Sequence, residues 1–356
     1  MSATRRIGLV AATLLVAALA AYGALRAGAG AASPEEAKAH NAAPPSKWVT
    51  VDGVPLHYRD EGSGPVLLFF HGSIVNLHEW DLVAARLKDR FRVVRIDWLP
   101  YGVSGPDPKG VYSTPRSAEL VAGFVKALDL PPHTVVATSN GGNVALEYAR
   151  IAPERIERMA FSILPLERPS QTRHVAWHMK WLSKFHENFL PDWRSRTFWR
   201  WVLETTTPPT FEPTREMIDP IYWANNQPGA LERQRQYIAS NTKAFKTSDV
   251  GAVAELVKVP VLLQWCGYDT VISQGAAPTI ARFTNTKVDL IEYPEVGHFP
   301  MWEIPERFSE DLARWVLAQR AATAPAAADT ENAGNGQGAA PAGIAGAVEG
   351  APPPPK

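Results

Sequence analysis

The chain has 356 residues, of which 46% are hydrophobic and 20% charged, a composition typical of a protein that is mostly globular. Its 36 lysines and arginines balance 36 aspartates and glutamates, so its charge gives no reason to expect nucleic acid or a strongly charged partner. Cys266 is the single cysteine, which excludes an intrachain disulfide.

Residues 1–32 have the pattern of a signal peptide or an N-terminal membrane anchor. Two arginines precede an uncharged run that spans residues 7–25. As a helix this run would be about 28 Å long, close to the roughly 30 Å hydrocarbon core of a bilayer. One alternative is a cleaved secretory signal, with cleavage among the small residues 27–29 or 30–32; the other is an uncleaved anchor. Both predict an exported, periplasmic or otherwise extracytoplasmic protein, either secreted or anchored to the membrane.

Two further segments differ in composition from the globular part. Residues 33–46 are predicted to be a short linker. Residues 321–356 consist almost entirely of Ala, Gly and Pro with a few polar residues, and such a segment cannot bury enough apolar surface to offset the entropy lost on ordering. This tail is therefore predicted to be disordered, and the globular unit is predicted to span about residues 47–320.

The globular unit alternates between strand-like and helix-like stretches. Strands are predicted over residues 48–51, 54–58, 66–70, 93–97, 134–138, 159–164, 260–265 and 288–293. Helices are predicted over residues 79–88, 114–128, 140–150 and 305–317. Asp52-Gly53 between the first two strands is a strong hairpin signal, and the later alternation is typical of parallel strands with helices on both faces. The predicted fold class is α/β, with a mostly parallel doubly wound sheet.

One region interrupts this alternation. Residues 166–246 contain no convincing strand, but they include six tryptophans. They are predicted to form a helical cap inserted between two parts of the α/β core, residues 47–165 and 247–320. Most of the aromatic side chains are expected to form the core of the cap, and some to line a pocket beneath it, because ligand sites favour aromatic walls.

The residues around Ser139 carry the strongest chemical signal. A predicted strand runs directly into this serine, and a predicted helix follows it. A turn this tight strains the backbone of its central residue and requires small residues two positions away, here Ala137 and Gly141. The hydroxyl would lie at a helix N-terminus, where the dipole and free N–H groups favour negative charge. The alternative is a serine in an ordinary glycine-rich turn.

Four further segments resemble parts of the α/β-hydrolase superfamily. Phe69–Ser73 resembles the strand and His-Gly segment that supplies half of the family's oxyanion hole. Asp97–Ser104 resembles the family loop D-x-x-G-x-G-x-S, with Pro100 at the position where glycine is common. Leu263–Asp269 resembles the strand end that carries the catalytic acid, and Val296–Phe299 resembles the final histidine loop. The segments follow the family order and cover nearly the whole globular unit, so the resemblance implies an α/β-hydrolase fold.

The resemblance also implies a catalytic triad, with Ser139 as nucleophile, His298 as general base and Asp269 as the residue that orients the base. A histidine can take the serine proton because imidazole ordinarily titrates near pH 6.5. The predicted oxyanion donors are the backbone N–H groups of Ser73 and Asn140. The predicted function is hydrolysis of carboxylic esters of small or apolar substrates through an acyl-enzyme.

Other functions stay open at this stage. The same triad could cleave a C–C bond next to a carbonyl, hydrolyse an amide or carry out perhydrolysis, and the domain could be a non-catalytic ligand-binding module. Relatives that open epoxides or displace halide use an aspartate as nucleophile, so Ser139 argues against those two reactions. No cofactor and no metal are predicted. The expected partner is a small-molecule substrate, with no nucleic acid, and membrane anchoring through residues 7–25 stays an alternative to secretion.

Several other titratable residues are alternative candidates for chemical roles. Glu167 follows a predicted strand end and could replace the catalytic acid. Cys266 lies close to the acid motif, but no histidine motif supports it as a nucleophile, so it is predicted to be a buried small hydrophobe. His174 and His178 have an i, i+4 spacing that could bind metal, with His186 further along the chain. No third ligand is evident, however, and all three are predicted to be ordinary cap residues. His71 is predicted to be structural rather than catalytic.

Overall fold

The structure of the chain, a computed structural model, describes residues 3–26, 28–167 and 177–323. Eight strands among these residues form one sheet: β1 Lys47–Val51, β2 Val54–Glu61, β3 Val66–Phe70, β4 Arg92–Ile96, β5 His133–Thr138, β6 Ile156–Ser162, β7 Val261–Cys266 and β8 Val288–Tyr293. Their order across the sheet is β1-β2-β4-β3-β5-β6-β7-β8. β1 and β2 form an antiparallel hairpin, β2 also pairs antiparallel with β4, and the other neighbours are parallel. The predicted α/β class and mostly parallel sheet are confirmed.

Helices accompany the sheet along the described chain. They are α1 Ala3–Arg26, α2 Pro34–Asn41, α3 Asp81–Leu87, α4 Thr114–Ala127, α5 Asn140–Ile151, α6 Trp177–Phe189, α7 Arg196–Glu204, α8 Arg215–Asn225, α9 Ala230–Thr247, α10 Ala277–Ile280, α11 Pro300–Glu303 and α12 Pro305–Thr323. Short 3₁₀ segments are Leu77–Trp80, Pro153–Arg155 and Val250–Leu256. α12 continues three residues beyond the predicted end of the globular unit, and residues 324–356 of the predicted tail lie outside the described residues.

The sheet is covered on both faces, and its central strand β3 is apolar and buried at every position. In β3, Leu68 and Phe70 belong to a core cluster that includes residues of α4 and α5, whereas Leu67 and Phe69 belong to a second cluster that includes residues of α3 and α12. Successive side chains of a strand point to opposite faces. The uninterrupted apolar run therefore fills two cores, which makes the sheet doubly wound.

The segment between β6 and β7 carries α6, α7, α8 and α9. The described part of residues 166–246, hereafter the insertion, contains helices and no strand. Two of these helices are joined by Arg196 of α7, whose guanidinium lies 3.8 Å from the ring centroid of Tyr222 in α8. The first part of the insertion, residues 168–176, lies outside the described residues.

The helix α1 matches the uncharged run noted in the sequence. Among the described residues it is the helix that is long and apolar enough to cross a membrane, with a mean hydropathy of 2.1 and none of its apolar window buried in the protein. Arginines lie close to both of its ends. Length and composition are compatible with either a signal sequence or an anchor.

The predicted linker, residues 33–46, differs from expectation because it contains the helix α2. Ser33 caps this helix and Glu36 completes a capping box, with proline at its first position. Ala37 is fully buried beside residues of α8, and Asn41 donates a hydrogen bond of 3.1 Å to the carbonyl of Pro220. The capping-box pattern was present in the sequence and could have revealed this helix. The chain is therefore attached to the insertion before the sheet begins.

Candidate active site

Ser139 lies in the tight turn between β5 and α5. Its φ of +50° and ψ of −133° put an L residue in the strained backbone region that the sequence pattern predicts. Its backbone N–H donates to the carbonyl of Ser162 at the end of β6, at 3.1 Å, which fixes the turn to the neighbouring strand. Because α5 begins at the next residue, the side chain lies at the N-terminus of a 12-residue helix.

Asp269 and His298 are in direct contact. His298 Nδ1 lies 2.7 Å from Asp269 Oδ2, and both residues are buried. The other carboxylate oxygen, Oδ1, accepts the backbone N–H groups of Val271 at 2.6 Å and Ile272 at 3.0 Å. The Asp269 carboxylate is thus held in one orientation, and it can hold the imidazole so that Nε2 is left to face a reacting group.

The sheet topology brings Ser139, Asp269 and His298 to one edge. Each follows the carboxyl end of a strand, namely β5, β7 and β8, and these strands run in the same direction. Ligands of open α/β sheets bind outside the carboxyl ends of the strands. The predicted triad residues therefore occupy the edge of the sheet where a substrate site is expected.

The predicted oxyanion residues lie beside the nucleophile turn. A Cβ added to Gly72 would be 3.5 Å from the Cβ of Ser139, so the loop before Ser73 runs close to the serine. Asn140 Nδ2 donates to Ser73 Oγ at 2.9 Å, which links the two predicted donor residues to each other. Asn140 Oδ1 accepts from Asn241 Nδ2 of α9 at 3.2 Å. The side chain of Asn140 thus connects both halves of the predicted oxyanion hole to the insertion.

The insertion contacts the loops that carry the candidate residues. His298 N donates to the carbonyl of Thr206 at 2.9 Å. Thr270, next to the acid, donates through Oγ1 to the carbonyl of Thr205 at 2.7 Å. Asn225 Nδ2 donates to the carbonyl of Ile74 at 2.7 Å. The ends of α7 and α8 therefore hold the loops of the candidate acid, the candidate base and the predicted oxyanion donor Ser73 from the carboxyl side of the sheet.

Two glutamates, the buried Glu79 and the half-buried Glu303, brace the site, and neither was predicted from the sequence. Glu79 Oε2 accepts the backbone N–H of Gly72 at 2.8 Å. Glu303 accepts the N–H groups of Gly297 at 2.7 Å and Phe299 at 3.0 Å, one on each side of the candidate base. Burial raises the pKa of both carboxyls. No local pattern marks these residues, because their partners are backbone groups that only the folded chain brings near.

The titration of Glu79 gives a testable effect on stability. Burial raises the pKa of this carboxyl from its ordinary value of 4.5 to about 8. Between these pH values the folded chain keeps a proton that the unfolded chain releases, so the stability contributed by this group is present below pH 4.5 and is lost as the pH rises to about 8. We expect Glu79→Gln, which keeps an acceptor for Gly72, to remove this dependence.

Urea unfolding at pH 5.5 and 7.5 measures the effect. The stability of the wild type should fall relative to Glu79→Gln by up to about 1.4 kcal/mol per pH unit. Glu292→Gln is the matched control, because Glu292 is an exposed glutamate on β8, and it should follow the wild type at both pH values. If the free energy of unfolding changed equally between the two pH values in the wild type and in Glu79→Gln, a raised pKa of Glu79 in the folded chain would be contradicted.

The motif that begins at Asp97 has a structural role in the described chain. Its carboxylate is buried and accepts the N–H groups of Leu77 at 2.8 Å and Val103 at 2.9 Å, and it lies 2.8 Å from His57 Nδ1. Ser104, at the end of the motif, accepts the backbone N–H of His57 at 2.8 Å. The motif ties the loop after β4 to β2 and to Leu77, in the segment that follows the predicted oxyanion residue Ser73.

The other candidates for chemistry have ordinary partners. Glu167 forms an ion pair with Arg282, whose Nε lies 2.8 Å from Oε1, while the candidate base pairs with Asp269. Cys266 is buried and its burial raises the thiol pKa, which fits a small hydrophobe rather than a nucleophile. His71 is fully buried, and burial lowers its pKa to about 4.

The histidines of the insertion show no metal arrangement in the part of the chain that the structure describes. His186 is buried against Phe198, with ring centroids 5.2 Å apart. His174 lies outside the described residues, as does the side chain of His178. Within residues 3–26, 28–167 and 177–323, no group of three or more His, Cys, Asp or Glu residues is arranged to hold a metal ion.

Comparison with known proteins agrees with this architecture. The chain matches the family model of the alpha/beta hydrolase fold over residues 65–305. It is 26% identical over 262 residues to a pimeloyl-[acyl-carrier protein] methyl ester esterase of Nitrosomonas europaea, an alignment that covers 71% of this chain and 96% of the relative.

Two solved structures share the fold at low sequence identity. A membrane phospholipase A, described as a bacterial virulence factor, matches with a TM-score of 0.62 and 19% identity over 88% of this chain and 99% of its own. A thermophilic esterase of Thermogutta terrifontis matches with a TM-score of 0.56 and 19% identity over 77% of this chain and 98% of its own. The family model spans more than half of the chain, including the candidate nucleophile, acid and base. The chain belongs to the α/β-hydrolase family.

Proposed function

We propose that the protein is a serine hydrolase that cleaves carboxylic esters through an acyl-enzyme. The observation that carries the proposal is the buried contact of 2.7 Å between His298 Nδ1 and Asp269 Oδ2, at the sheet edge where Ser139 occupies a strained strand-to-helix turn. The contact between acid and base, and the chain order of the three residues, support the roles of nucleophile, base and orienting acid. The name of the 26% identical relative, a methyl ester esterase, supports the choice of ester over other acyl groups.

The proposed reaction follows from the positions of these groups. His298 Nε2 takes the proton of Ser139 as Oγ attacks the ester carbonyl, and Asp269 stabilises the imidazolium that forms. The backbone N–H groups of Ser73 and Asn140 stabilise the oxyanion, each by about 3 kcal/mol of barrier. His298 then protonates the leaving alcohol, and it activates the water that hydrolyses the acyl-enzyme and regenerates Ser139.

Labelling with a fluorophosphonate probe tests the nucleophile. The full chain should be labelled with a stoichiometry near one, and the probe should be found on the peptide that contains Ser139. Ser139→Ala should abolish labelling without a change in the circular dichroism spectrum. Ser162→Ala, at the end of the neighbouring strand, is the matched control and should be labelled normally. A folded wild-type protein that is not labelled would support the non-catalytic binding module instead.

We further propose that the insertion is a cap over the site and that it favours small or apolar esters. The hydrogen bonds of Asn241, Thr205 and Thr206 to the candidate site loops support this position. A series of p-nitrophenyl esters of increasing acyl length tests the selectivity, since equal kcat/KM values from short to long chains would contradict it. Hydrolysis of esters but not of C–C or amide analogues would separate the proposed reaction from its alternatives.

We also propose that the protein is exported and that α1 is retained as a membrane anchor. The segment after α1 supports retention, because the carbonyl of Gly30 accepts hydrogen bonds from Trp193 Nε1 at 3.0 Å and Tyr222 Oη at 3.3 Å. Ala32 N donates to the carbonyl of Asn226 at 3.0 Å. Cleavage after Ala32 would remove all three bonds. The N-terminal sequence of the protein in isolated membranes distinguishes an anchor from a cleaved signal.

A further inference from the structure

The attachment of α1 determines which side of the protein faces a membrane. The chain leaves α1 at Arg26, and from Gly30 onward it is bonded to Trp193, Tyr222 and Asn226 of the insertion. Four residue steps separate Arg26 from Gly30, and a fully extended chain would span about 14 Å over that distance. The surface of the insertion near Trp193 therefore lies within about 14 Å of the end of the apolar helix.

A row of aromatic rings, exposed at its two ends and half-buried in the middle, lies on the same part of the insertion. Trp181, Phe185 and Phe189, hereafter the aromatic ridge, follow each other at four-residue intervals along α6 and share one side of the helix. Their ring centroids are 5.6 Å and 5.1 Å apart in succession. Trp181 is 64% exposed and Phe189 is 47% exposed, so the ridge presents a continuous apolar surface to its surroundings.

The ridge is continuous with the apolar helix. The ring of Tyr22, close to the C-terminal end of α1, contacts Phe189 with centroids 6.4 Å apart in an edge-to-face arrangement. Tyrosine and tryptophan are enriched at the two interfaces of membrane proteins, where one part of the ring is apolar and one part is hydrated. Lys184 is exposed on the same helix and lines one shallow groove with the ridge, as expected of an interfacial helix that meets anionic headgroups.

We propose that the aromatic ridge inserts into the headgroup region of the bilayer beside the anchor, so that the insertion forms the membrane-facing side of the enzyme. This inference rests on the proposed retention of α1. The headgroup region is about 5–7 Å thick on each side of the hydrocarbon core, which is within the reach of the short tether. Esters with long acyl chains, which partition into bilayers, would then be presented to the side of the protein that covers Ser139.

A site-specific fluorophore measures this contact in the full-length protein. Trp181→Cys is labelled with the polarity-sensitive fluorophore NBD and reconstituted into vesicles of phosphatidylcholine and phosphatidylglycerol. Cys266 is buried with a raised thiol pKa and is not expected to react. Lys184→Cys provides a second position whose replacement removes no ring of the ridge. Leu256→Cys, 57% exposed in a segment that packs against α5 of the core, is the matched control.

We expect at least threefold stronger quenching of the labels at positions 181 and 184 by lipids with a nitroxide near the headgroup than of the label at position 256. Equal quenching at all three positions, in protein that floats with the vesicles, would overturn the proposal. Protein that does not float with the vesicles would overturn it together with the anchor. If the NBD label at position 181 were already in an apolar environment in detergent, and more so at higher protein concentration, the partner of the ridge would be a second copy of the chain and the proposal would be overturned. Fluorophosphonate labelling of the same samples reports separately on the catalytic proposal.

Discussion

Replacing His298 with alanine is expected to lower kcat for ester hydrolysis by about 10⁶-fold, with a much smaller change in KM. The imidazole is the proposed base for Ser139 and the proposed acid for the leaving alcohol, and loss of the base in a comparable triad has an effect of that size. No hydrogen bond joins its side chain to the insertion in the part of the chain that the structure describes. Its backbone N–H donates to the carbonyl of Thr206, and alanine keeps that bond.

Asp269→Asn gives a graded comparison at the same site. The amide can still accept the N–H groups of Val271 and Ile272, but it cannot stabilise an imidazolium and it favours the wrong tautomer of His298. We expect kcat to fall by about 10⁴-fold, less than for His298→Ala. His40→Ala, which removes an exposed histidine on α2, should leave kcat unchanged. Activity of His298→Ala within 100-fold of the wild type would exclude this histidine as the base.

The sequence predicted the parts of the fold that depend on local composition. All eight strands lie where apolar and β-branched runs indicate them, because a strand buried on both faces must be apolar throughout, as in residues 66–70. The predicted and observed bounds of a strand differ where no clear change in residue type marks its ends. β6, for example, covers residues 156–162 rather than the expected 159–164. The strained backbone of Ser139 was also foreseeable, since small neighbours around a serine between strand and helix are a local signature.

The supporting contacts of the site could not be predicted in the same way. Glu79 braces Gly72 and Glu303 braces the loop of His298, but each acts on backbone N–H groups, which leave no mark on the identity of the partner residue. The bond between Asn140 and Asn241 joins residues 101 positions apart. Such contacts depend on how distant segments of the chain pack together in the fold. That packing is not determined by the local helix and strand propensities that a sequence pattern reveals.

Gly141→Ala, which adds a single methyl group beside the site, is expected to lower both the stability of the protein and its kcat. The added Cβ would lie 2.9 Å from the carbonyl oxygen of Phe70 and even closer to that of His71. Both are backbone atoms at the start of the loop that carries the proposed oxyanion donor Ser73. In an open helix position the same change would gain about 1 kcal/mol. Here overpacking against backbone costs about 3 kcal/mol or more and outweighs that gain. The displaced loop should also lower kcat by about 100-fold or more, as loss of one oxyanion donor does.

Gly275→Ala is the matched control for this clash, because an added Cβ there has no neighbour within 4 Å. It should change the free energy of unfolding by less than about 1 kcal/mol and leave kcat unaltered. Urea unfolding and ester kinetics on the two variants separate the steric effect from the loss of a glycine. A Gly141→Ala protein as stable and as active as the wild type would show that the turn does not require close approach of the oxyanion loop.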